Sequence, residues 1–486
     1  MQEYIIIVSK YLITLSMAFY TMESYLAFFY KNEEDRQAIY LRQNLWMFLV
    51  QGTSFVNLAL VTKDWNYVYL YGFVQLFLIV ALVVPAIIFK RCNRLLLNHM
   101  CMLLGIGMIV LARLSTYTAS EHTGILAGTE WEVFSGLLGS KAFRQYIIIW
   151  ISFILCIFVP GIIALIKNMT SLKWIYAGIG ILMLSTVLIL GEVTHGSKLS
   201  FTIQGITFQP SEFVKIIFVF FLAASLYQDT CFKNVMITSI LAGIHVIVLV
   251  LSTDLGGALI FFVGYLTILF IASKNYLYLL LGLTGGAGAS IIAYSLFSHV
   301  RIRVLAWLDP WSYIDNQGYQ ITQSLFAIGS GSWFGMGLHE GNPKAIPFVD
   351  VDFIFSSICE EFGVIFGILL VLVILNCFLT IMEIGIAQKS NFFRLICVGL
   401  GTMYIFQVFL TIGGGIKFIP LTGVTLPLIS YGGSSVMSTM LMFFVIQGIH
   451  IINRKECESK RERKRKGTKH AKTQIQEPDI IDLEEE

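Results

Sequence analysis

The chain has 486 residues, of which 56% are hydrophobic and only 13% are charged, and its mean hydropathy is +0.77. A typical soluble domain carries roughly twice that charged fraction, so this composition excludes a soluble enzyme, a nucleic-acid-binding module and a secreted disulfide scaffold. The eight cysteines show no CxxC or other metal-ligand spacing. The net charge of +3 does not indicate a function, because Lys and Arg are unevenly distributed along the chain. We predict an all-α, polytopic membrane protein.

Apolar runs bounded by charged or turn residues predict about thirteen membrane spans of roughly 20 residues each. The first run is interrupted by Glu3, Lys10 and Glu23, so it is either a span or an interfacial helix. In chain order the predicted spans cover residues 4–30, 44–62, 67–89, 96–114, 145–166, 172–191, 210–228, 234–252, 254–273, 276–298, 354–380, 393–413 and 430–452.

The basic residues lie in alternate loops, which sets the orientation of the chain. Lys31, Arg91, Lys233 and Lys389 belong to one set of loops, and the basic block at residues 460–466 continues it. We therefore predict that the carboxyl terminus is cytoplasmic, where its cations attract anionic lipid. The tail then turns acidic at residues 479–486. The longer loops fall on the outer side, at residues 115–144, 192–209, 299–353 and 414–429.

Placing an ionisable side chain inside a membrane span costs free energy, so each such residue marks a candidate site. Glu212 and Lys215 stand three residues apart on one helical face. They are either a structural ion pair or the lining of a polar cavity. Asp254 opens a span and either caps its first turn or has a functional role.

Two further segments are candidates for the site: one carries several carboxylates at or near the membrane boundary, and the other predicts irregular backbone within the membrane. Asp350 and Asp352 end the long outer loop, and Asp352 is either a helix cap or a partly desolvated base. Glu360 and Glu361 lie about two turns deeper, where a buried carboxylate needs a partner. The Pro- and Gly-rich segment at residues 420–435 predicts irregular backbone, which either lines a cavity or allows close packing.

Cations on the outer side are candidates for a phosphate or pyrophosphate group. Individually, each of them is more often an anchor to lipid headgroups. They are Lys198, Arg301, Arg303, Lys344 and Lys417.

These motifs, taken in order, resemble those of the SEDS family of bacterial cell-wall synthesis, whose members include RodA, FtsW and SpoVE. The resemblance runs from about residue 97 to residue 453. The matching segments are Gln209-Pro210-Ser211-Glu212 with Lys215, Asp254-Leu255-Gly256, Asp309-Pro310-Trp311 with Gly318-Tyr319-Gln320, Asp352-Phe353-Ile354-Phe355 with Glu360-Glu361, and Pro427 through Ser435.

The resemblance implies three parts of the chain. Residues 93–453 form a SEDS core of ten transmembrane helices. Residues 1–92 are an added membrane segment of about three helices, which we expect to be a docking surface. Residues 454–486 are a cytoplasmic tail.

The resemblance also implies a peptidoglycan glycosyltransferase of the bacterial cytoplasmic membrane, with an extracytoplasmic active site. Such an enzyme polymerises lipid II, an undecaprenyl-pyrophosphate disaccharide-pentapeptide, and works with a class B penicillin-binding protein. The family's essential aspartate falls on Asp352, which favours the base over the cap. The remaining candidates for substrate binding or cavity lining are Glu212, Lys215, Asp254, Arg301, Arg303, Gln320, Lys344, Glu360, Glu361 and Ser434.

A divalent cation, Mg²⁺ or Mn²⁺, is a candidate for binding the departing pyrophosphate, and no other cofactor is expected. The alternative function is a lipid II flippase, which needs a headgroup path across the bilayer and no base at Asp352. The motifs do not separate roles in elongation, division and sporulation.

Overall fold

The structure is a computed structural model that describes residues 2–30, 32–115, 136–166, 168–194, 197–203 and 206–474. Most of the predicted loop at residues 115–144 and the predicted acidic end at residues 479–486 lie outside the described residues.

The described chain is almost entirely helical. Its helices are α1 (Gln2–Phe29), α2 (Glu33–Thr62), α3 (Asn66–Ile88), α4 (Arg94–Leu114), α5 (Lys141–Cys156), α6 (Val159–Leu165), α7 (Lys173–Leu190), α8 (Pro210–Leu226), α9 (Phe232–Leu251), α10 (Leu255–Ser273), α11 (Tyr276–Leu296), α12 (Ser298–Leu308), α13 (Tyr319–Gly331), α14 (Ile354–Phe362), α15 (Val364–Ile386), α16 (Asn391–Gly415) and α17 (Gly433–Gln474). Short 3-10 helices cover Met169–Leu172 and Pro343–Ala345.

Several helices begin where the sequence supplies a polar cap. The side chains of Asn93, Ser140 and Asn275 each accept a backbone N–H from the first turn of α4, α5 and α11. Such caps satisfy donors that the helix itself leaves unpaired. Pro210 occupies the first turn of α8, where its missing N–H costs nothing.

The described residues contain twelve helical segments that are long and apolar enough to cross a membrane, one of which combines α5 and α6. They overlap twelve of the predicted spans. The remaining span, α8, has 17 residues, which is at the short end of the range for a crossing. The prediction of an all-α, multi-pass membrane protein is confirmed, whereas the count of thirteen stays a prediction.

The predicted span at residues 354–380 is divided in two by Gly363, which has a φ of +92°. A side chain there would collide with the backbone of Phe334 and Gly335. That backbone runs alongside the break, and Met336 N–H donates to Glu360 O at 2.9 Å. The close approach of two backbones therefore ends α14 and restarts the chain as α15.

Two of the predicted outer loops contain regular structure. The loop at residues 299–353 holds most of α12, all of α13 and the 3-10 helix Pro343–Ala345. The loop at residues 192–209 holds three antiparallel strands, β1 (Glu192–Thr194), β2 (Ser197–Ile203) and β3 (Ile206–Phe208), in the order β1-β2-β3.

Helices α1 and α2 pack antiparallel along their length. Asn57 contacts Ser9 near one end of the pair, and Arg42 Nε donates to Glu23 at 2.7 Å near the other. Ser9 and Glu23 are about 21 Å apart along a helix, so α1 runs across the bundle. This geometry favours a span over an interfacial helix.

Buried hydrogen bonds join α1 to the helices that follow residue 92. A hydrogen bond of 3.1 Å links the Tyr20 hydroxyl to Nδ1 of His99 on α4. The other ring nitrogen of His99 is 2.8 Å from Oδ1 of Asn376 on α15. Because lipid offers these groups no alternative partner, the network fixes how α1 sits against the rest of the bundle.

Replacing Tyr20 with Phe removes one hydroxyl from this network. We expect the free energy of unfolding to fall by about 0.6–1.7 kcal/mol, the range measured for interhelical hydrogen bonds in membranes. Thermal unfolding of the purified protein in detergent measures this change. Tyr4→Phe on the same helix is the matched control, because Tyr4 is 74% exposed. Equal midpoints for the two variants would contradict the assignment.

Candidate active site

Asp352 lies in a tight turn just before α14 and is half-buried. The carbonyl of Phe348 accepts the N–H groups of Val351 at 3.0 Å and Asp352 at 3.1 Å. Oδ1 of Asp352 is buried and has no hydrogen-bond partner among the described residues. Most buried polar atoms are paired, so this oxygen is available to a ligand.

The structure contradicts the interpretation of Asp352 as a helix cap. Phe353 occupies the cap position of α14, and no side chain accepts a hydrogen bond there. Burial raises the pKa of Asp352 to about 7, while nearby Arg303 lowers it and Asp350 raises it. A carboxylate with a pKa near 7 is well matched to accepting a proton at neutral pH.

The Pro- and Gly-rich segment at residues 420–435 holds this turn in place. The N–H of Tyr431 donates to Asp350 O at 2.7 Å, and the Ser430 hydroxyl donates to Val351 O at 2.5 Å. Both bonds go to backbone immediately before Asp352. The irregular segment therefore positions the candidate base as well as packing against it.

The two neighbouring aspartates differ in their partners. Lys141 Nζ is 2.7 Å from Oδ2 of Asp350, so this carboxylate is already paired. The same ammonium lies 5.7 Å from the centre of the Tyr431 ring. The pairing leaves Asp352 as the available carboxylate of this turn.

Arg303 on α12 lies beside Asp352. Its Nη1 donates to Leu421 O at 3.3 Å and to Thr422 O at 2.9 Å. A side chain on Gly423 would begin 3.7 Å from Oδ2 of Asp352 and 3.8 Å from Nη2 of Arg303. Gly423, with a φ of +75°, thus leaves open the space between the carboxylate and the guanidinium.

Two of the other four predicted pyrophosphate-binding cations are not among the charged groups that act on Asp352. The charged groups that act on Asp352 are Arg303 and Asp350, and they do not include Arg301 or Lys344. Arg301 and Lys344 are both exposed. Burial lowers the pKa of Lys344, and the nearby cation that lowers it further is Arg113.

Asp254 caps α10, as one of its two interpretations predicted. Its Oδ1 accepts the N–H of Gly257 at 2.8 Å, and its Oδ2 accepts the Ser211 hydroxyl at 3.4 Å. Asp254 also interacts electrostatically with Arg303. The cap thus adds negative charge to the surroundings of the candidate active site.

Glu212 and Lys215 form a buried ion pair at 2.7 Å. The Ser438 hydroxyl donates to Glu212 at 2.9 Å, and Lys215 donates to Gln407 Oε1 at 2.7 Å. Gln407 in turn donates to Thr425 O at 3.0 Å. The pair is therefore tied to the same segment that holds the Asp352 turn.

This ion pair also lines a cavity of about 20 Å³. Such a volume accommodates about one water molecule and no sugar or lipid headgroup. Both interpretations of Glu212 and Lys215 are thus correct in part: they form an ion pair and line a cavity, and the cavity is small.

Ser434 and Gln320 occupy different surroundings. The Ser434 hydroxyl accepts the N–H of Gln209 at 2.9 Å and donates to Thr207 O at 3.3 Å, so it joins the starts of α8 and α17. Gln320 is half-buried at the start of α13. Its helix is anchored through the Ser324 hydroxyl, which donates to Gly415 O at 2.7 Å.

Glu360 and Glu361 support the backbone that precedes the Asp352 turn. Arg113 Nε donates to Glu361 at 2.8 Å, and Arg113 Nη2 donates to Gly341 O at 3.1 Å. Glu360 Oε1 accepts the N–H of Asn342 at 2.9 Å. Arg113 is the partner that the sequence left unidentified for Glu361, and the N–H of Asn342 is the partner of Glu360.

Sequence reasoning missed Arg113, Lys141, Gln407 and Gly423. Arg113 carried a signal, because it is a lone cation at the outer end of a predicted span. Gln407 lies in the middle of a predicted span, where a polar amide is also unusual. The sequence contains no comparable signal for Gly423, whose role depends on two side chains from distant helices.

A divalent cation stays a prediction. Among the described residues, no group of three or more His, Cys, Asp and Glu side chains is arranged to hold a metal ion. Mg²⁺ is often held by one or two carboxylates together with substrate phosphates. Asp352 with a bound pyrophosphate is the arrangement that would fit this chemistry.

The sequence model of a protein family described as "Cell cycle protein" (FtsW, RodA and SpoVE) matches residues 94–455. That match covers well over half of the chain. The chain belongs to this family. The matched region contains Asp352, Arg303 and the Glu212–Lys215 pair, and it begins just after the added segment of residues 1–92.

Similar proteins include "Peptidoglycan glycosyltransferase RodA" of Mycobacterium tuberculosis, which is 33% identical over 278 residues, covering 52% of this chain and 58% of that protein. The chain thus spans little more than half the length of that relative. The RodA of Mycobacterium leprae is 30% identical over 381 residues, covering 73% of this chain and 77% of its own length.

Solved structures of the SEDS family share the fold. A structure described as "Structural coordination of polymerization and crosslinking by a peptidoglycan synthase complex" matches with a TM-score of 0.60 and 23% identity, covering 74% of this chain and 98% of the other. RodA of Thermus thermophilus matches with a TM-score of 0.52 and 22% identity, covering 74% and 96%.

Replacing Arg113 with Met leaves Glu361 buried without its cation. We expect the free energy of unfolding to fall by about 3–5 kcal/mol, as for other broken buried pairs. The double variant Arg113→Met/Glu361→Leu removes both charges and should recover most of that loss. Thermal unfolding in detergent measures both variants. A double variant less stable than the single one would contradict the ion-pair assignment.

Proposed function

We propose that this chain is a peptidoglycan glycosyltransferase that polymerises lipid II at the outer face of the bacterial cytoplasmic membrane. The observation that carries the proposal is the carboxylate of Asp352, which has a buried, unpartnered oxygen and stands beside the guanidinium of Arg303. The names of the RodA and FtsW relatives support the same activity.

Asp352 acts as the general base in this proposal. The 4-hydroxyl of an acceptor sugar attacks the anomeric carbon of the donor, and the bond from that carbon to the lipid pyrophosphate breaks. The hydroxyl proton passes to Asp352 as the new glycosidic bond forms. A base with a pKa near the working pH is the most effective in this role.

Arg303 stabilises negative charge next to the base. Its Nη1 is held by two backbone carbonyls, while its Nη2 faces the gap beside Gly423. A fixed cation in a partly buried site stabilises the charge that develops on a leaving group. Arg301 and Lys344 are exposed, so in this proposal they contact the headgroup as it enters.

The ion pairs of the structure support the proposed orientation. Arg91 pairs with Glu458, and Arg454 pairs with Glu33. These pairs gather the start of α2, the end of α3 and the base of the tail at one end of the bundle, which is the proposed cytoplasmic end. The Asp352 turn follows the long loop that we place outside the membrane.

The proposed partner is a class B penicillin-binding protein that crosslinks the glycan product. The solved peptidoglycan synthase complex is similar in fold to this chain, which supports a comparable assembly here. The flippase alternative requires a headgroup path through the bundle. The cavity at Glu212 and Lys215, about 20 Å³ in volume, does not provide such a path in this conformation.

Replacing Asp352 with Asn should abolish polymerisation of purified lipid II, with a loss of about 10²–10⁴-fold, because general-base catalysis contributes that much. The assay uses the full chain with a class B transpeptidase, in Mg²⁺, Mn²⁺ and EDTA. Asp350→Asn is the matched control and should cost less than about fivefold, since its partner Lys141 is 60% exposed and an ion pair open to solvent contributes at most about 1 kcal/mol.

Equal losses in the two variants would contradict the assignment of the base. An inactive wild type that still transports lipid II across liposomes would favour the flippase. Activity that disappears in EDTA and returns with Mg²⁺ or Mn²⁺ would support the predicted cation.

The pH dependence of polymerisation should report the titration of Asp352. Because the base works when deprotonated, kcat/KM should rise with pH through a midpoint near 7 and then level off. Arg303 lowers the pKa of Asp352, so Arg303→Gln should move the midpoint to higher pH. Arg301→Gln is the matched control and should leave the midpoint unchanged. A midpoint that stays fixed in Arg303→Gln would exclude Asp352 as the titrating group.

A further inference from the structure

A cavity of about 300 Å³ lies at the end of the bundle where α3 ends and α4 begins. It is bounded by α2, α3 and α4, and two of these helices belong to the added segment of residues 1–92. The lining contributed by α3 is aliphatic, whereas α2 and α4 contribute the polar side chains Asn44, Arg94 and Asn98. This cavity is separate from the candidate active site.

Arg94 is the charged residue of this cavity. Within the part of the chain that the structure describes, it forms no ion pair and donates no side-chain hydrogen bond. It is also the first residue of α4, where the helix dipole opposes a positive charge. Three other arginines at this end are paired with carboxylates: Arg42 with Glu23, Arg91 with Glu458 and Arg454 with Glu33. The guanidinium of Arg94 is therefore available to bind an anion.

The electrostatic surroundings of the cavity favour a negative ligand. Tyr40 lines the cavity. Three cations, Arg36, Arg94 and Arg454, interact electrostatically with Tyr40, against the single carboxylate of Glu383.

One acceptor atom of the polar lining has no hydrogen-bond donor among the described residues. Oδ1 of Asn44 is buried and has no partner among the described residues. The amide of Asn98 is already used, because it donates to Tyr40 O at 3.3 Å and to Gln43 Oε1 at 2.9 Å. A ligand that completes the site carries a hydroxyl donor in addition to its anionic group.

The aliphatic lining continues onto the lipid-facing surface. Leu41, Val83 and Ile87 line the cavity and are 66%, 47% and 68% exposed. In a membrane such side chains face acyl chains, which are as apolar as leucine. The volume is at the lower end of the range for small-ligand sites, so it admits a headgroup while the acyl chains stay in the bilayer.

We propose that this cavity binds the headgroup of one anionic glycerophospholipid that carries a free hydroxyl, of the phosphatidylglycerol type. The phosphodiester binds Arg94, and a headgroup hydroxyl donates to Oδ1 of Asn44. The acyl chains lie against Val83 and Ile87. Basic pockets between transmembrane helices are known to select acidic headgroups in this way. The proposal does not depend on the proposed reaction.

Native mass spectrometry of the full chain tests the site. The protein is titrated with phosphatidylglycerol, with phosphatidylethanolamine of the same acyl chains and with deacylated glycerophosphoglycerol. We expect phosphatidylglycerol to bind at least about tenfold more tightly than either, a difference of 1.4 kcal/mol. Equal binding of phosphatidylethanolamine would overturn the anionic selection. Equal binding of the deacylated headgroup would show a soluble anion site instead of a lipid site.

Three variants test the residues. Arg94→Gln should weaken phosphatidylglycerol binding about tenfold or more, and Ala86→Phe, which fills the cavity without changing charge, should do the same. Lys90→Gln is the matched control, since it removes an exposed charge from the same end and does not line the cavity. It should change binding by less than about twofold, because Lys90 does not line the cavity that holds the headgroup.

Similar losses of phosphatidylglycerol binding in Arg94→Gln and Lys90→Gln would show that general surface charge causes the effect, and would overturn the proposed site. Unchanged binding in Ala86→Phe would place the lipid elsewhere. Displacement of phosphatidylglycerol by undecaprenyl phosphate at equal concentration would assign the cavity to a polyprenyl lipid and overturn the headgroup assignment. An unchanged thermal midpoint in each variant shows that the fold is retained.

Discussion

The position of Asp352 depends on two hydrogen bonds from a segment 79 residues further along the chain. Ser430 and Tyr431 bind the carbonyls of Val351 and Asp350, and these are the residues immediately before the candidate base. Irregular backbone within a membrane protein must find its hydrogen bonds inside the protein. Here the two irregular segments form hydrogen bonds with each other, and these bonds hold the carboxylate of Asp352 in a partly buried position.

The same segment is bound from two further directions. Arg303 donates to Thr422 O on one side. Gln407 donates to Thr425 O on another, and Gln407 accepts from Lys215, which pairs with Glu212. A continuous series of hydrogen bonds therefore connects the buried ion pair to the turn that carries Asp352. The residues that a motif search treats as separate signatures are parts of one hydrogen-bonded unit.

Most buried carboxylates near this unit have a partner. Glu212 is paired with Lys215, Glu361 with Arg113, and Asp254 accepts the first-turn N–H of α10. Pairing lowers the large cost of burying charge. Among the described residues Oδ1 of Asp352 has no partner, a feature that it shares with Oε2 of Glu360, and the pKa of Asp352, about 7, follows from burial that its neighbours do not fully offset.

Helices α1 to α3 are joined to the family fold by polar groups. The contacts of Tyr20, His99 and Asn376 are buried, and such bonds give specificity where apolar packing against lipid offers none. Between α2, α3 and α4 the junction leaves a cavity lined by Arg94, which has no partner among the described residues. The added segment therefore contributes a surface of its own at the end of the bundle away from Asp352.

The sequence by itself determined the membrane class, the approximate positions of the spans and the family. Hydropathy and motif order are local properties, so they are readable without a structure. It also identified Asp352 as a candidate residue. The local pattern fitted a helix cap and a general base equally well, and the family resemblance favoured the base. The cap was then excluded by the geometry of Phe353 and α14.

Only the tertiary structure decided which charges meet. Arg303 lies beside Asp352, whereas Arg301, two residues away, is exposed. Arg113 pairs with Glu361 across 248 residues of sequence. The break at Gly363 arises because a distant backbone approaches too closely for any side chain. These outcomes depend on the packing of helices that are far apart in the chain, and no local pattern of residue types contains that information.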